Sequence, residues 1–217
     1  MAGLCDVSRR PNMVQTAKGK RMKIATFNIN GIKARIDALP AWLAEATPDV
    51  VCLQEIKSQD EAFPREIFES LGYRVETHGQ KSFNGVAILS KLPLEDVVRG
   101  LPGDDTDEQA RWIEATVIGT KAVRICGLYL PQSRAAFRSL LNLGLTDAFR
   151  VRNPNPGQYT FWDYQAGAWD RNNGIRIDHH LLSPQAADLL QDCQIDKQVR
   201  AGDKPSDHVP VWIDLAA

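Results

Sequence analysis

Apolar, strand-like stretches of this chain break off at four short polar clusters. These are Asn28-Ile29-Asn30-Gly31, Leu53-Gln54-Glu55, Arg176-Ile177-Asp178 and Ser206-Asp207-His208. Each carries carboxylate, carboxamide or imidazole groups at the end of a run that reads as a β-strand. One such cluster is an ordinary solvated strand end. Four constrain the fold far more, because strand ends converge on one place only where they share an edge of a sheet.

The pattern between the clusters supports that reading. A strand is expected over residues 23–27, and Leu39, Trp42, Leu43 and Ala46 recur at helical spacing, which predicts a helix over 36–46. Pro48 stops it, and 49–53 is an unbroken apolar run of the kind that is buried on both faces. Pro64 stands at the expected first position of a helix that Gly72 ends. Further strands are predicted at 73–77, 85–90, 112–118, 123–130, 159–164, 174–182 and 209–215. A second amphipathic helix is expected over 133–143, with Phe137, Leu140 and Leu141 on one face. Adjacent strands mixed with helices predict an α/β sandwich of two mixed β-sheets flanked by helices.

At 217 residues the chain can bury a full core, as one large domain or two small ones. The formal net charge of −1 gives no global basic signature, so any nucleic-acid contact must come from a local patch. Cys5, Cys52, Cys126 and Cys193 form no close pair and read as reduced thiols of an intracellular, cytoplasmic protein, without a disulfide framework or zinc site. No apolar stretch approaches the roughly 20 residues that span a bilayer, so no membrane is implied. Residues 1–21 differ from the rest: Arg9, Arg10, Lys18, Lys20 and Arg21 face one acid, Asp6, without periodicity. They are expected to be a disordered extension. It is either a basic arm for DNA phosphates or sequence upstream of a start at Met22. The folded domain is expected over 22–217.

The clusters carry a definite chemistry. A hard cation such as Mg²⁺ takes oxygen ligands, typically one or two carboxylates with waters and substrate phosphate. Asn28, Glu55 and Asp207 could supply that set. His208 could hold a phosphate oxygen or steady developing charge, with Asp178 orienting the imidazole. Taken singly, each residue has a plainer reading: a solvated strand end, a turn at Asn30-Gly31, or a surface ion.

At these residues the chain resembles the exodeoxyribonuclease III branch of the endonuclease/exonuclease/phosphatase superfamily, the class II abasic-site DNA endonucleases. The resemblance rests on Thr26-Phe27-Asn28-Ile29-Asn30-Gly31, Leu53-Gln54-Glu55-Ile56-Lys57, His78-Gly79-Gln80-Lys81 and Asn84-Gly85-Val86-Ala87. It continues through Gly127-Leu128-Tyr129-Leu130-Pro131-Gln132, Gly174-Ile175-Arg176-Ile177-Asp178 and Lys204-Pro205-Ser206-Asp207-His208-Val209-Pro210-Val211-Trp212. These strings stand in the family's order over about 22–132 and 135–215. The resemblance implies a Mg²⁺- or Mn²⁺-dependent phosphodiesterase acting on double-stranded DNA with abasic sites or 3′ ends. It implies that Asn28, Glu55 and Asp207 hold the metal, and that Tyr129 and His208, the latter paired with Asp178, touch the scissile phosphate. Phe161, with Trp162 beside it, would line the abasic-sugar pocket, or else pack in the core. Asn30, Arg35, Lys81 and Arg176 would contact DNA, although the three cations could equally be solvated surface charges.

One departure accompanies the resemblance. Between Gln132 and Ser133 the family carries several dozen further residues: a helix, a central strand ending in Gly-Asp-x-Asn, and a loop. No Gly-Asp-x-Asn occurs in this sequence. The expected fold therefore lacks one central strand and its adjoining helix. It also lacks the aspartate held to deprotonate the attacking water and the asparagine that stabilises the transition state. Three functions stay open: an impaired enzyme, a module that binds such DNA without cutting it, or a non-functional deletion product. The unpaired strands are expected to lower stability or to promote self-association through an exposed sheet edge.

Overall fold

The structure is a computed structural model that describes residues 21–104, 106–130 and 134–216. The expected extension falls outside the described residues except for Arg21, and the junction residues Gln132 and Ser133 lie outside them as well. Arg21 itself belongs to the first strand, opposite Ala216, and pairs with Asp214 at 3.5 Å.

The strands are β1 (Arg21–Asn28), β2 (Val50–Gln54), β3 (Arg74–His78), β4 (Val86–Ser90), β5 (Leu94–Arg99) and β6 (Trp112–Ile118). They continue with β7 (Ala122–Leu128), β8 (Thr146–Asp147), β9 (Leu181–Leu182), β10 (Leu190–Ile195) and β11 (Val211–Ala216). The helices are α1 (Ala38–Ala46), α2 (Arg65–Ser70), α3 (Arg134–Asn142), α4 (Ala148–Arg152) and α5 (Pro184–Ala187). A six-stranded sheet runs in the order β10-β11-β1-β2-β4-β3, with β1 and β2 parallel and the other neighbours antiparallel. A three-stranded sheet, β5-β6-β7, lies against one face of it, and β8 and β9 form a separate pair.

Strand β2 shows how the sequence builds the layers. All five of its residues are buried, because each face of the strand meets a different core. Val50 and Cys52 point between the sheets, among Ile24, Ile88, Ile113 and Ile213. Val51 and Leu53 point the other way, among Leu39, Trp42 and Phe68 from α1 and α2. An unbroken apolar run is what such a strand requires, since neither face can tolerate a polar residue. The run ends at Gln54, and the next residue, Glu55, is the first to reach the open edge.

The architecture is the expected α/β sandwich, with differences that have local causes. Among the described residues only the six-stranded sheet is mixed; the three-stranded β5-β6-β7 sheet and the separate β8-β9 pair are antiparallel. The strands expected over 159–164 and 174–182 reduce to single bridges, Phe161 to Ile175 and to His208, with a ladder only at β9. Gly174 explains the pinch: a Cβ there would lie 2.7 Å from the Phe161 carbonyl oxygen and 2.7 Å from the Trp162 indole nitrogen. Strand β5 escapes the sequence reading because a bulge between Glu95 and Val98, with Asp96 at φ +50°, breaks its alternation. Pro64 precedes the first turn of α2 rather than opening it.

Two features surround the expected gap. Strand β7 closes its sheet, so its outer backbone edge faces no strand among the described residues. Helix α3 is amphipathic as predicted, yet none of its described residues is fully buried. Its Phe137 ring leans on His179 with centroids 4.2 Å apart, while Leu143 just beyond the helix is 80% exposed. No helix among the described residues is long and apolar enough to cross a membrane.

Candidate active site

Parallel pairing of β1 with β2 continues past the strand ends and sets the two loops in register. Ile29 N donates to Gln54 O at 2.9 Å, Gly31 N to Glu55 O at 2.7 Å, and Ile32 N to Ile56 O at 3.0 Å. Gly31 at φ +97° turns the chain where a side chain would be strained. Glu55 and Lys57 occupy the left-handed region without being glycine, at φ +51° and +50°. Such conformations persist where the surrounding bonds over-determine them, and they concentrate at functional sites.

The side chains of the first two clusters interlock. Asn28 Nδ2 donates to Glu55 Oε1 at 2.8 Å, and Asn28 Oδ1 accepts from the Asn30 backbone at 3.1 Å. Lys57 Nζ lies 3.0 Å from Glu55 Oε2 and 2.5 Å from Asn30 Oδ1. Asn30 Nδ2 in turn donates to Asp207 Oδ1 at 2.9 Å, which joins the first cluster to the last. Ser206, fully buried, donates through Oγ to Asn28 O at 2.8 Å and accepts from His208 N at 3.2 Å. Burial opposes the Glu55 carboxylate, but hydrogen bonds from Asn28, Lys57 and Tyr129 outweigh it and hold the group below its usual range. Burial first, and Glu55 second, push the Tyr129 hydroxyl up to about 12.

The third and fourth clusters meet at His208. Its Nδ1 lies 2.9 Å from Asp178 Oδ2 and 3.1 Å from Oδ1, with both residues buried. That pairing leaves Nε2 as the ring nitrogen not held by Asp178. Burial disfavours the imidazolium; Asp178, with Asp207 and Glu55, more than reverses this and raises the pKa. Thr160 fixes the partner, since its Oγ1 accepts from Ile177 N at 3.0 Å and Asp178 N at 3.1 Å. Phe161 meets the His208 ring edge-on at 4.9 Å and borders an open cleft of about 370 Å³ that Gly174 and Ile175 also line.

All four clusters therefore share one edge, and Asn28, Asn30, Glu55, Tyr129, Asp178, Asp207 and His208 are in hydrogen-bonded or electrostatic contact there. The donor set suits a hard divalent cation. It offers oxygen donors, contains an ionised carboxylate at Glu55, and includes a second carboxylate, Asp207, turned by Asn30. Asn28 spends its amide nitrogen on Glu55 and keeps its oxygen for donors or a cation.

Three of the expected DNA contacts are placed otherwise. Trp162 is 0% exposed, packed with Ala168 and Val209, so it supports Phe161 from below and does not face a ligand. Arg176 is buried in an ion pair with Asp147, Nη2 to Oδ2 at 2.5 Å, and is unavailable to a phosphate. Arg35 directs its guanidinium at protein oxygens: Asn30 O at 2.8 Å, Tyr164 Oη at 2.5 Å and Pro205 O at 3.0 Å. Lys81, by contrast, is exposed, on the same loop as Phe83, which is 71% exposed.

Several contributors gave little sign in the sequence. Lys57 stands in the 53–57 string that carries the resemblance, but no role is read for it there. Ser206 reads as a turn residue, and Thr160 as part of a strand. Only Ser206 carried a hint, its adjacency to Asp207 and His208.

The family is shown by comparison. Residues 25–208 match the Endonuclease/Exonuclease/phosphatase family, and the chain belongs to it. Exodeoxyribonuclease III of Haemophilus influenzae is 34% identical over 266 residues, spanning 89% of this chain and 100% of that protein. An AP endonuclease structure from Archaeoglobus fulgidus superposes with a TM-score of 0.82 at 30% identity, covering 88% of this chain and 98% of the other. A 3′ phosphatase from Neisseria, NExo, bound to a product DNA hairpin, superposes at 0.84 with 31% identity, covering 89% and 99%.

Proposed function

We propose that the chain binds double-stranded DNA at abasic sites or 3′ ends with Mg²⁺ or Mn²⁺, and that its phosphodiester cleavage is impaired by an internal deletion between Gln132 and Ser133. The observation that carries the reading is the convergence of Glu55, Asp207 and the Asp178–His208 pair on one sheet edge. Glu55 and Asp207, with Asn28, would hold the cation, whose role when bound is to neutralise charge on the phosphate.

This chain's own residues account for binding and orientation. His208, held through Nδ1 by Asp178, offers Nε2 to a phosphate oxygen; burial works against its imidazolium, and Asp178 more than reverses this and raises its pKa. Tyr129, whose hydroxyl keeps its proton at neutral pH, donates it to Glu55 and so steadies that carboxylate beside the phosphate. Phe161 lines the cleft in which a base-free sugar would sit. What is wanting is a base for water. The carboxylates acting on His208 are Asp178, Asp207 and Glu55. The first is bonded to the imidazole, and the other two would be the cation's ligands when it is bound, which would leave none of the three to accept a proton.

Two observations support the deletion. The alignment to the Haemophilus protein covers that relative completely over 266 residues, more than the 217 this chain possesses, so relative-only residues are interspersed. Among the described residues, β7 is also the last strand of its sheet, and α3 is the next element in the chain.

The test is equilibrium binding to a duplex carrying one tetrahydrofuran site, followed by fluorescence anisotropy. Affinity for that duplex is expected to exceed that for the intact one, to rise with Mn²⁺, and to fall linearly with log salt. Equal affinity for both duplexes, or no Mn²⁺ effect beyond that of a Glu55→Ala variant, would overturn the proposal.

The β7 edge bears a related consequence. An uncovered strand edge is a template for pairing with another chain. Sedimentation velocity is expected to show concentration-dependent association; a single monomeric species across the micromolar range would contradict it.

A further inference from the structure

We infer that Arg35 is a positioning residue for the metal-binding edge, clasping the loop after β1 to the loop before Asp207 through Tyr164. Arg35 closes the short 3₁₀ turn Ile32–Arg35 that follows Gly31. From there Nη1 donates to Asn30 O, while Nη2 donates to Tyr164 Oη and Pro205 O. The Tyr164 hydroxyl donates in turn to Pro205 O at 2.8 Å, so the three partners close a small ring of bonds. Tyr164 is itself held in place: the Arg200 guanidinium lies 4.9 Å from its ring centroid and donates to Trp162 O at 3.2 Å.

The clasp acts on residues whose positions matter. Asn30 is the residue that turns Asp207, through Nδ2 to Oδ1, and that Lys57 reaches from the Glu55 side. Pro205 stands two residues before Asp207. Tying Asn30 O and Pro205 O to one planar guanidinium therefore sets the spacing of the two loops that carry Asn30 and Asp207. A lysine ammonium keeps the charge but lacks the fork that spans these oxygens.

A phosphate contact is the competing role, and the geometry disfavours it. Both terminal nitrogens donate to protein oxygens, Nη2 with both of its hydrogens, and Nε is buried with no partner among the described residues. Arg35 lines a cleft of about 480 Å³ together with Lys33, Tyr164 and Lys204.

The inference rests on the metal reading above, and its test separates the two. Mn²⁺ alone is titrated into the parent chain and into Arg35→Lys, Arg35→Met and Tyr164→Phe variants, with free ion read by electron paramagnetic resonance and folding checked by circular dichroism. Residues that orient metal ligands typically change affinity 10–100-fold. Both Arg35 variants are expected to weaken Mn²⁺ binding about tenfold alike, and Tyr164→Phe by less but measurably. The salt slope of duplex binding should stay unchanged in all three, whereas loss of one phosphate contact lowers it by about 0.9. Parent-like Mn²⁺ affinity in Arg35→Lys, or a shallower slope in Arg35→Met, overturns the clasp. Should the Arg35 variants fail to fold, parent-like Mn²⁺ affinity in Tyr164→Phe overturns it instead. Absence of Mn²⁺ binding in the parent overturns the metal reading itself, and the clasp with it.

Discussion

Supplied with Mg²⁺, the chain is expected to incise a tetrahydrofuran-containing duplex about 10²–10⁴-fold more slowly than a variant into which a relative's Gly-Asp-x-Asn segment has been inserted between Gln132 and Ser133. That range is the usual contribution of a positioned general base. Loss of an oxyanion-type donor removes about 10²–10³ more, so the full deficit starts at the upper end of that range, at about 10⁴, and extends beyond it. The prediction follows from how the carboxylates are committed. Asp178 is bonded to His208, and Glu55 is bonded by Asn28, Lys57 and Tyr129. Asp207 accepts from Asn30 and Ser206. Each carboxylate is thus engaged by protein donors as an orienter or a prospective ligand, and Glu55 is also held below its usual range. Glu55→Ala should remove whatever residual incision remains. Steady turnover of the unaltered chain at the inserted variant's rate would mean that some other group activates water.

The second large effect concerns stability. Arg176→Ala is expected to destabilise the fold by about 3–5 kcal/mol, because it strands a buried carboxylate. Arg176 and Asp147 are each 9% exposed at the side chain, and Arg176 also lies over the Phe149 ring. Burial works against the Asp147 carboxylate, but His179 and Arg176 outweigh it and hold its pKa far below the ordinary carboxylate range. A group whose folded pKa is depressed contributes stability above its unfolded value, near 3.9, and loses it as pH falls toward the folded value. The parent chain should therefore lose stability progressively below about pH 5. An Asp147→Asn variant should be less stable at neutral pH and show a flatter acid limb. Urea denaturation across that range reads both effects. An Arg176→Ala variant within about 1 kcal/mol of the parent would remove Arg176 from the structural role and return it to the surface.

Arg176 also marks where the sequence stopped being legible. In a Gly-Ile-Arg-Ile-Asp string beside a site, an arginine is as plausible a phosphate contact as a structural ion. Its partner Asp147 lies 29 positions away, and nothing local names it. Arg35 poses the same difficulty with Pro205, 170 positions away. Trp162 was ambiguous for a different reason. Two aromatics in succession point to opposite sides of an extended segment, and only packing decides that Phe161 takes the cleft and Trp162 the core.

The sequence by itself determined the strands whose burial is two-sided or regularly alternating, such as β2 and β6. It also determined the polar clusters that end them, since a run of apolar residues stops where the backbone reaches water. These local signals were enough for the sandwich and for expecting Asn28, Glu55, Asp207, Asp178 and His208 at one sheet edge, where the structure brings them together. Tertiary structure alone decided which cations are free and which are spent inside the protein. It also decided that the second sheet breaks at β7. Charge pairing and sheet pairing join residues far apart in the chain, and neither leaves a periodicity that a window of sequence can hold.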